Sequence, residues 1–287
     1  MTRESEARSA CDSSPVKCPV CKGVASQLLG VSNGYHVWQC RGCDLDFVHP
    51  MPASELLEAY YSGQAYFEGG EPGGYVDYDD QSAHLLDFAK RILDAPGCTG
   101  NGRSILDVGC AYGSLLAVAH ERGWDCFGLE ISEYARRVIR QRHGRKFHVV
   151  DRIEHVVPRE FSLIVMADVL EHFPDPYSVF YTLFSKGCIT PETRVVISTP
   201  NARSAAAMAD PMGWEHRHPP SHLLFFSAES LVRLLKRLRF HDVYIWRQNG
   251  EKTSMPVYPS GNLLTRAQNR AEYSDCPLRC TDRKSVV

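Results

Sequence analysis

The sequence lacks any apolar run long enough to cross a bilayer. The longest, Phe161–Leu170, has ten residues and contains Asp168, whereas a membrane-spanning helix needs about 20 apolar residues. The N-terminal residues carry several charged side chains and no apolar segment of the secretory type. These absences predict a cytoplasmic protein with no membrane partner.

An excess of charge of either sign is also missing. The 287 residues include 32 Lys and Arg against 34 Asp and Glu, a formal net charge of −2. Domains that bind nucleic acid usually carry a clear basic excess or patch. We therefore expect no nucleic-acid partner.

Hydrophobic residues make up 44% of the chain, which is enough for a large buried core.

Disulfide bonds are not expected, although the chain has eleven cysteines. The number is odd and no secretory signal accompanies it, so most thiols should be reduced. Four of them form two C-x2-C pairs, Cys18 with Cys21 and Cys40 with Cys43. Two such pairs close a tetrahedral four-sulfur site that suits structural Zn²⁺ and leaves no open coordination position. Two redox-active pairs, or four unrelated thiols, are the alternative interpretation.

Strand and helix patterns alternate through the middle of the chain. Between Ser104 and Trp246, six apolar stretches that predict strands alternate with amphipathic stretches that predict helices. Such alternation favours a parallel sheet with helices on both faces. The predicted divisions are a disordered tail at 1–14, a zinc ribbon at 15–52, a helical cap at 53–98, an α/β domain at 99–247 and an atypical C-terminal tail at 248–287.

A glycine-containing turn follows the first predicted strand of the α/β domain. It reads Asp107-Val-Gly109-Cys-Ala111-Tyr-Gly113-Ser114. A strand that ends in closely spaced glycines and opens a helix is typical of nucleotide-type cofactor sites. A dinucleotide-binding fingerprint would need glycine in place of Ala111 and Ser114, and a P-loop would need Gly-Lys-Ser/Thr, which the sequence lacks.

This turn resembles motif I of the class I S-adenosylmethionine-dependent methyltransferases, with Ala111 in place of the middle glycine. The segments Phe127–Glu130 and Asp168–Pro176 also resemble the family, the second being close to D-V-L-E-H-x-x-D-P. The segment from Cys40 to Tyr61 is similar to the zinc-ribbon lead of methyltransferases from bacterial glycan and specialised-metabolite pathways. The resemblance implies a Rossmann-like, doubly wound, mostly parallel α/β sheet with a small N-terminal zinc ribbon.

The resemblance also implies which residues contact the cofactor. It assigns Glu130 to the ribose hydroxyls and Asp151 to the adenine amino group. The implied S-adenosylmethionine contacts are Asp107, Gly109, Ala111, Gly113, Glu130, Ile131, Asp151, Arg152 and Asp168. The antiparallel last strand of the fold should follow residue 246, where Met255–Leu264 is the one poor candidate.

Two histidines are candidates for the chemistry of methyl transfer. His172 follows the fourth strand, at the sheet edge where ligands bind in such folds, and an imidazole can serve as the base for a hydroxyl or phenol. His222 lies in the loop Pro219–Ser227, which resembles the family's loop before the last helix and could close over the same edge. That Glu171 and His172 only orient a loop is an equally open interpretation.

Together these patterns predict methyl transfer to an oxygen or carbon of a small-molecule acceptor, such as a sugar, aromatic or polyketide-type metabolite. One alternative is an RNA or protein methyltransferase whose zinc ribbon holds the partner. Base-amino methyltransferases carry Asn/Asp-Pro-Pro-aromatic where this chain has Ala167–Leu170, which argues against RNA. The other alternative is a non-catalytic cofactor-binding module, and the retained acids Glu130 and Asp151 argue against it.

Overall fold

The computed structural model describes residues 15–70, 74–81, 83–94, 100, 102–240, 242–246, 252–253 and 262–268. The predicted tail at 1–14 and most of the segment 248–287 lie outside these residues. The strands are β1 (Ser26–Ser32), β2 (Tyr35–Cys40), β3 (Asp46–Val48), β4 (Ser104–Val108), β5 (Asp125–Leu129), β6 (His148–Val150), β7 (Leu163–Ala167), β8 (Arg194–Pro200), β9 (Leu224–Phe225), β10 (Asp242–Trp246), β11 (Lys252–Thr253) and β12 (Asn262–Gln268).

The α-helices of the described residues are short. None of those helices combines the length and the apolar composition that a membrane crossing requires. They are α1 (Ser54–Ser62), α2 (Tyr78–Gln81), α3 (Ala83–Leu93), α4 (Ser114–Glu121), α5 (Glu133–His143), α6 (Pro176–Ser185), α7 (Ala205–Ala209) and α8 (Ala228–Arg237).

Eight strands form the central sheet, in the order β6-β5-β4-β7-β8-β12-β10-β11. The strands from β6 to β8 run parallel, and β12, β10 and β11 are antiparallel to their neighbours. The six strands predicted between Ser104 and Trp246 all occur, as β4, β5, β6, β7, β8 and β10. The predicted Rossmann-like, mostly parallel α/β fold is confirmed.

The antiparallel last strand lies further along the chain than the sequence indicated. The candidate was Met255–Leu264, but the strand is β12, which pairs with β8 on one side and β10 on the other. Its sequence, Asn-Leu-Leu-Thr-Arg-Ala-Gln, has no clear alternation of polar and apolar residues, so periodicity could not locate it. Part of the segment set apart as an atypical tail therefore completes the sheet.

The parallel strands are buried on both faces, as a doubly wound sheet requires. Along β4 and β7, Ile105 and Leu163 pack into one hydrophobic cluster, and the adjacent Leu106 and Ile164 pack into another on the opposite face. Successive side chains of a strand point to opposite faces. The alternation therefore turns a nearly continuous apolar run into two packed layers.

The N-terminal helices pack onto the glycine turn through aromatic rings. Ser54 is the first residue of α1, and the capping position is taken by Ala53, which has no side chain able to cap. Two further helices, α2 and α3, follow before the first strand of the α/β domain. Phe67, which lies between α1 and α2, stacks on Tyr112 of the turn with ring centroids 5.2 Å apart.

The ribbon is joined to the α/β domain by backbone pairing. Its sheet has the order β1-β2-β3-β9, and β9 comes from the loop before α8 rather than from the N-terminal segment. Asp46 and Phe47 pair with Phe225 and Leu224. Phe47 also lies in the same hydrophobic cluster as the sheet residue Leu106. The ribbon and the α/β domain therefore share one core.

A buried ion cluster lies at this junction. The carboxylate of Asp46, which is fully buried, accepts hydrogen bonds from Arg203 at 2.8 and 3.0 Å and from Arg217 at 2.6 Å. Arg203 also donates to Asp44. Because the ions have lost their water, removing one partner leaves an uncompensated buried charge.

Asp46→Asn should therefore lower the free energy of unfolding far more than the same change in a solvent-exposed ion pair. We expect a loss of about 3–5 kcal/mol in the free energy of unfolding, because the buried guanidinium of Arg217 loses its anion and that of Arg203 keeps only Asp44. Asp79→Asn, which breaks the solvent-exposed pair with Arg142, should cost about 1 kcal/mol or less. Urea denaturation of both variants measures the difference, and equal losses would contradict the role given to the cluster.

Candidate active site

A cavity of about 360 Å³ opens at the carboxyl ends of β4, β5, β6 and β7. Ligands bind at this edge in doubly wound sheets, beside the point where the strand order reverses, which here is the junction of β4 and β7. The volume lies within the range of small-molecule sites. The lining residues come from the loops after these strands and from the segment 54–78.

The glycine turn bends tightly under the cavity. Gly109 and Gly113 have positive φ angles of 76° and 80°, and Ala111 has φ of 43°. The N–H of Gly109 donates to the carbonyl of Leu129 at 2.8 Å. A Cβ atom at Gly109 would lie 2.5 Å from Cγ2 of Val169. Glycine is therefore required there both for the backbone conformation and for the approach of Val169.

Glu130 fixes the unusual conformation of Ala111. Its Oε2 accepts a hydrogen bond from the N–H of Ala111 at 2.8 Å, and its Oε1 accepts one from the N–H of Ser132, also at 2.8 Å. Burial raises the pKa of Glu130, and the two N–H donors oppose the increase. A carboxylate has about four lone-pair sites. The two oxygens can therefore still accept further hydrogen bonds from a ligand in the cavity that Glu130 lines.

The other predicted cofactor residues divide into two groups. Asp107 and Gly113 are not among the residues that line the cavity. Asp107 is buried beneath the turn, where burial and the charge of Glu130 raise its pKa to about 7. Those that line it are Gly109, Ala111, Glu130, Ile131, Asp151, Arg152 and Asp168.

Partners on neighbouring segments hold the lining side chains. Arg152 forms an ion pair with Glu58 of α1 at 2.9 Å. Ser198 donates from its hydroxyl to Asp168 at 2.8 Å. A hydrogen bond from His155 lowers the pKa of Asp151. The carboxylates at this edge therefore have defined positions.

Aromatic side chains form the wall that faces the sheet edge. Tyr61, Tyr66, Phe67, Tyr75 and Tyr78 all line the cavity. Burial raises the pKa values of Tyr61, Tyr66 and Tyr75 well above the ordinary value, so their phenols remain neutral. From the sequence, Tyr75 and Tyr78 could equally fold over a cofactor or pack at the start of a helix. Tyr61 was not predicted to line a site, because a tyrosine at helical spacing is also typical of core packing.

His172 and His222 come together at one end of the site. His172 lines the cavity, whereas His222 is buried and does not; their ring centroids are 4.8 Å apart. Nδ1 of His172 donates to the carbonyl of Ser221 at 2.7 Å, and the Tyr61 hydroxyl donates to the same carbonyl at 2.6 Å. Nδ1 of His222 donates to the carbonyl of His216 at 2.8 Å. Burial lowers the pKa of His172 to about 4 and that of His222 in the same direction, so both rings are neutral near pH 7.

The four cysteines of the two C-x2-C pairs also come together. Their sulfur atoms all lie within 4.8 Å of one another, with Cys18 to Cys43 at 3.6 Å and Cys21 to Cys40 at 3.4 Å. A disulfide would hold the sulfurs about 2.05 Å apart, so these are thiols. A hydrogen bond from Cys43 lowers the pKa of Cys18 to about 5, whereas burial raises that of Cys40 to about 11.

The profile of a protein family described as "Methyltransferase domain" matches residues 78–245. The chain belongs to this methyltransferase family. The ubiquinone biosynthesis O-methyltransferase of Idiomarina loihiensis is 25% identical to it over 160 residues, 50% of this chain and 64% of that protein. The enzyme of the same name from Bordetella avium is 28% identical over 150 residues, 47% and 53% of the two chains. The match thus spans between half and two thirds of these relatives.

Solved structures agree with the methyltransferase fold. The magnesium protoporphyrin IX methyltransferase of Synechocystis with bound SAH has a TM-score of 0.51 at 15% identity, covering 76% of this chain and 100% of that one. The 1,6-didemethyltoxoflavin-N1-methyltransferase of Burkholderia thailandensis also has a TM-score of 0.51, at 17% identity, covering 85% and 100%. At this identity the similarity supports the class I methyltransferase fold alone.

Gly109→Ala should lower the stability of the methyltransferase more than Gly187→Ala does. Gly187 has a comparable φ of 68° but no described atom within 4 Å of an added Cβ, so Gly187→Ala adds backbone strain alone, on the order of 1 kcal/mol. Gly109→Ala adds the collision with Val169 and should lose several times more stability. Thermal unfolding of the two variants compares them, and equal losses would remove the argument from close approach.

Proposed function

We propose that this methyltransferase transfers the methyl group of S-adenosylmethionine to an oxygen or carbon of a small-molecule acceptor. The observation that carries the proposal is one cavity that is lined by two chemically different sets of residues. The glycine turn and the buried carboxylate of Glu130 form the set that we assign to a cofactor end, and the neutral imidazole of His172 belongs to the set that we assign to an acceptor end.

The residues at the first end fit the cofactor. S-adenosylmethionine supplies a methyl group on a sulfonium, which is already a good leaving group. Glu130 accepts hydrogen bonds from the ribose hydroxyls while it holds Ala111 and Ser132, and Asp151 accepts from the adenine amino group. Gly109 lets the ligand approach the backbone closely. Ile131, Arg152 and Asp168 complete the lining, and Asp107 and Gly113 support the turn.

His172 acts at the acceptor end. Its Nδ1–H is occupied by the carbonyl of Ser221, so Nε2 is the ring nitrogen left to promote loss of the acceptor's proton. Tyr61 donates to the same carbonyl and thereby holds the loop beside the ring. His222 packs behind His172 and keeps its orientation.

Several observations favour a small organic acceptor over RNA. Four tyrosines and two phenylalanines line the cavity, and such aromatic rings suit an apolar or aromatic ligand. The net charge of −2 supplies no basic surface for phosphates. The relatives and solved structures described above are named for ubiquinone biosynthesis, a porphyrin and a toxoflavin precursor. The described cysteines are reduced thiols, which supports action in the cytoplasm. The proposal includes no nucleic-acid or membrane partner.

We further propose that Cys18, Cys21, Cys40 and Cys43 hold one structural Zn²⁺. The two halves of the site are built alike: Cys18 and Cys40 each accept an N–H bond from the residue four positions on, and Lys22 and Asp44 both have φ near 60°. Zinc–sulfur bonds of about 2.3 Å set tetrahedral sulfurs about 3.8 Å apart, close to the separations seen here. The donor set therefore fits the ion, and no coordination position remains for catalysis.

The experiment that tests the function combines an activity assay with calorimetry. With phenolic, sugar and polyketide acceptors, the wild type should add 14 Da to one of them and release S-adenosylhomocysteine. Glu130→Ala should weaken S-adenosylmethionine binding about tenfold or more, because hydrogen bonds to a charged group are lost. His172→Ala should retain cofactor binding but lose about 100-fold or more in turnover. Cofactor binding that is indifferent to Glu130→Ala would contradict the assigned site.

Elemental analysis tests the zinc proposal. Freshly purified protein should contain about one zinc per chain, and Cys21→Ser should lose it. Because β3 of the ribbon pairs with β9, directly after His222, zinc loss should also expose backbone amides of β9 to hydrogen exchange. Cys188→Ser, a change at a buried cysteine outside the cluster, serves as the control. A zinc-free wild type, or full zinc content in Cys21→Ser, would refute the proposal.

A further inference from the structure

Behind the cavity, three side chains direct metal-binding atoms toward one point. The ligand atoms of Glu171, His172 and His222 all lie within 4.8 Å of one another. Glu171 and His222 are 1% and 8% exposed, and His172 reaches the cavity. The cluster is separate from the four cysteines and uses none of the residues assigned to the cofactor.

The two imidazoles are held in the tautomer that a metal ligand requires. Each uses Nδ1–H to donate to a backbone carbonyl, His172 to Ser221 and His222 to His216. Nε2 is therefore the ring nitrogen of each histidine that can bind a metal, and in His172 the cation would displace a second backbone contact, to Asp168. A hydrogen bond from the second ring nitrogen to a carbonyl is the usual support of a metal-bound histidine.

Glu171 supplies the independent evidence that a ligand is required. Both of its carboxylate oxygens are buried, and neither makes a hydrogen bond of normal geometry among the described residues. Burial raises the pKa of Glu171, and the nearby Thr199 hydroxyl opposes this increase only slightly. An unpartnered buried carboxyl is expensive, whereas a cation would satisfy both oxygens at once. Two imidazole nitrogens and one carboxylate are a common ligand set for first-row divalent metals that keep positions open for substrate.

We propose that Glu171, His172 and His222 bind a divalent first-row transition-metal cation whose open positions face the acceptor end of the cavity. The inference deepens the proposed function and rests on it for the identity of the acceptor site.

The cation gives the histidines a different way to activate the acceptor. The oxygen of an acceptor hydroxyl binds the cation, which lowers the pKa of the hydroxyl, and its proton leaves to water. The oxygen lone pair then forms the new bond to the methyl carbon as the carbon–sulfur bond breaks and its electron pair stays on sulfur. In this arrangement Nε2 of His172 binds the cation instead of taking the proton. The cation thus replaces the general base assigned to His172 above, and the rest of the proposed function is unchanged.

Mn²⁺ is the probe of choice, because it prefers nitrogen and oxygen ligands and leaves a four-cysteine site to zinc. The full chain, with its zinc content verified, is titrated with Mn²⁺, and free ion is followed by electron paramagnetic resonance. We expect one Mn²⁺ per chain. Glu171→Gln, which keeps the size of the side chain, and His222→Ala should each weaken binding tenfold or more.

Glu154→Gln is the matched control, since it neutralises another carboxylate that lines the same cavity, and it should bind Mn²⁺ as the wild type does. Failure of the wild type to bind Mn²⁺ at 1 mM, or binding that survives both ligand substitutions, overturns the inference. Full-rate methyl transfer without bound cation also overturns it and leaves the proposed function intact. Mn²⁺ binding without methyl transfer to any acceptor has the opposite meaning: the cation site stands and the proposed function fails.

Discussion

The buried carboxylate of Asp46 is the interaction on which the arrangement of the site depends. It bridges Arg203, which follows β8, and Arg217, which precedes β9. Because β9 then pairs with β3, the chain from Arg217 to Phe225 is fixed at both ends by the ribbon. His222 lies in this span, so a residue of the cysteine-containing segment controls the position of a ring beside the cavity.

The sequence predicted those parts of the fold that local pattern encodes. The parallel strands are buried on both faces, and apolar runs such as Leu163–Ala167 mark them directly. Two of the other strands show what local pattern does not encode. β9 has only Leu224 and Phe225 and exists through its pairing with the distant β3, while β12 has no apolar alternation and is defined by the two strands between which it inserts.

The candidate site also has residues that could be predicted from the sequence and residues that could not. Glu130, Asp151 and Asp168 were expected from the resemblance to the methyltransferases. They line one cavity because each follows a parallel strand, and the carboxyl ends of such strands converge. Tyr61 and Tyr66 of the aromatic wall could not be predicted, because their spacing is that of ordinary core residues. Glu171 was predicted at most to orient a loop, since nothing in its neighbours indicates that its carboxyl group is buried without a hydrogen bond of normal geometry.

The two walls of the cavity come from separate stretches of chain. The wall with Glu130 and Asp168 belongs to the sheet, whereas the facing wall, with Tyr61 and Tyr66, precedes the first strand of that sheet. A recombination event between these stretches would exchange one wall and preserve the other. Replacement of the N-terminal segment can therefore change the acceptor that the cavity fits. The new segment must still supply a carboxylate at the position of Asp46, because Arg203 and Arg217 pair with it.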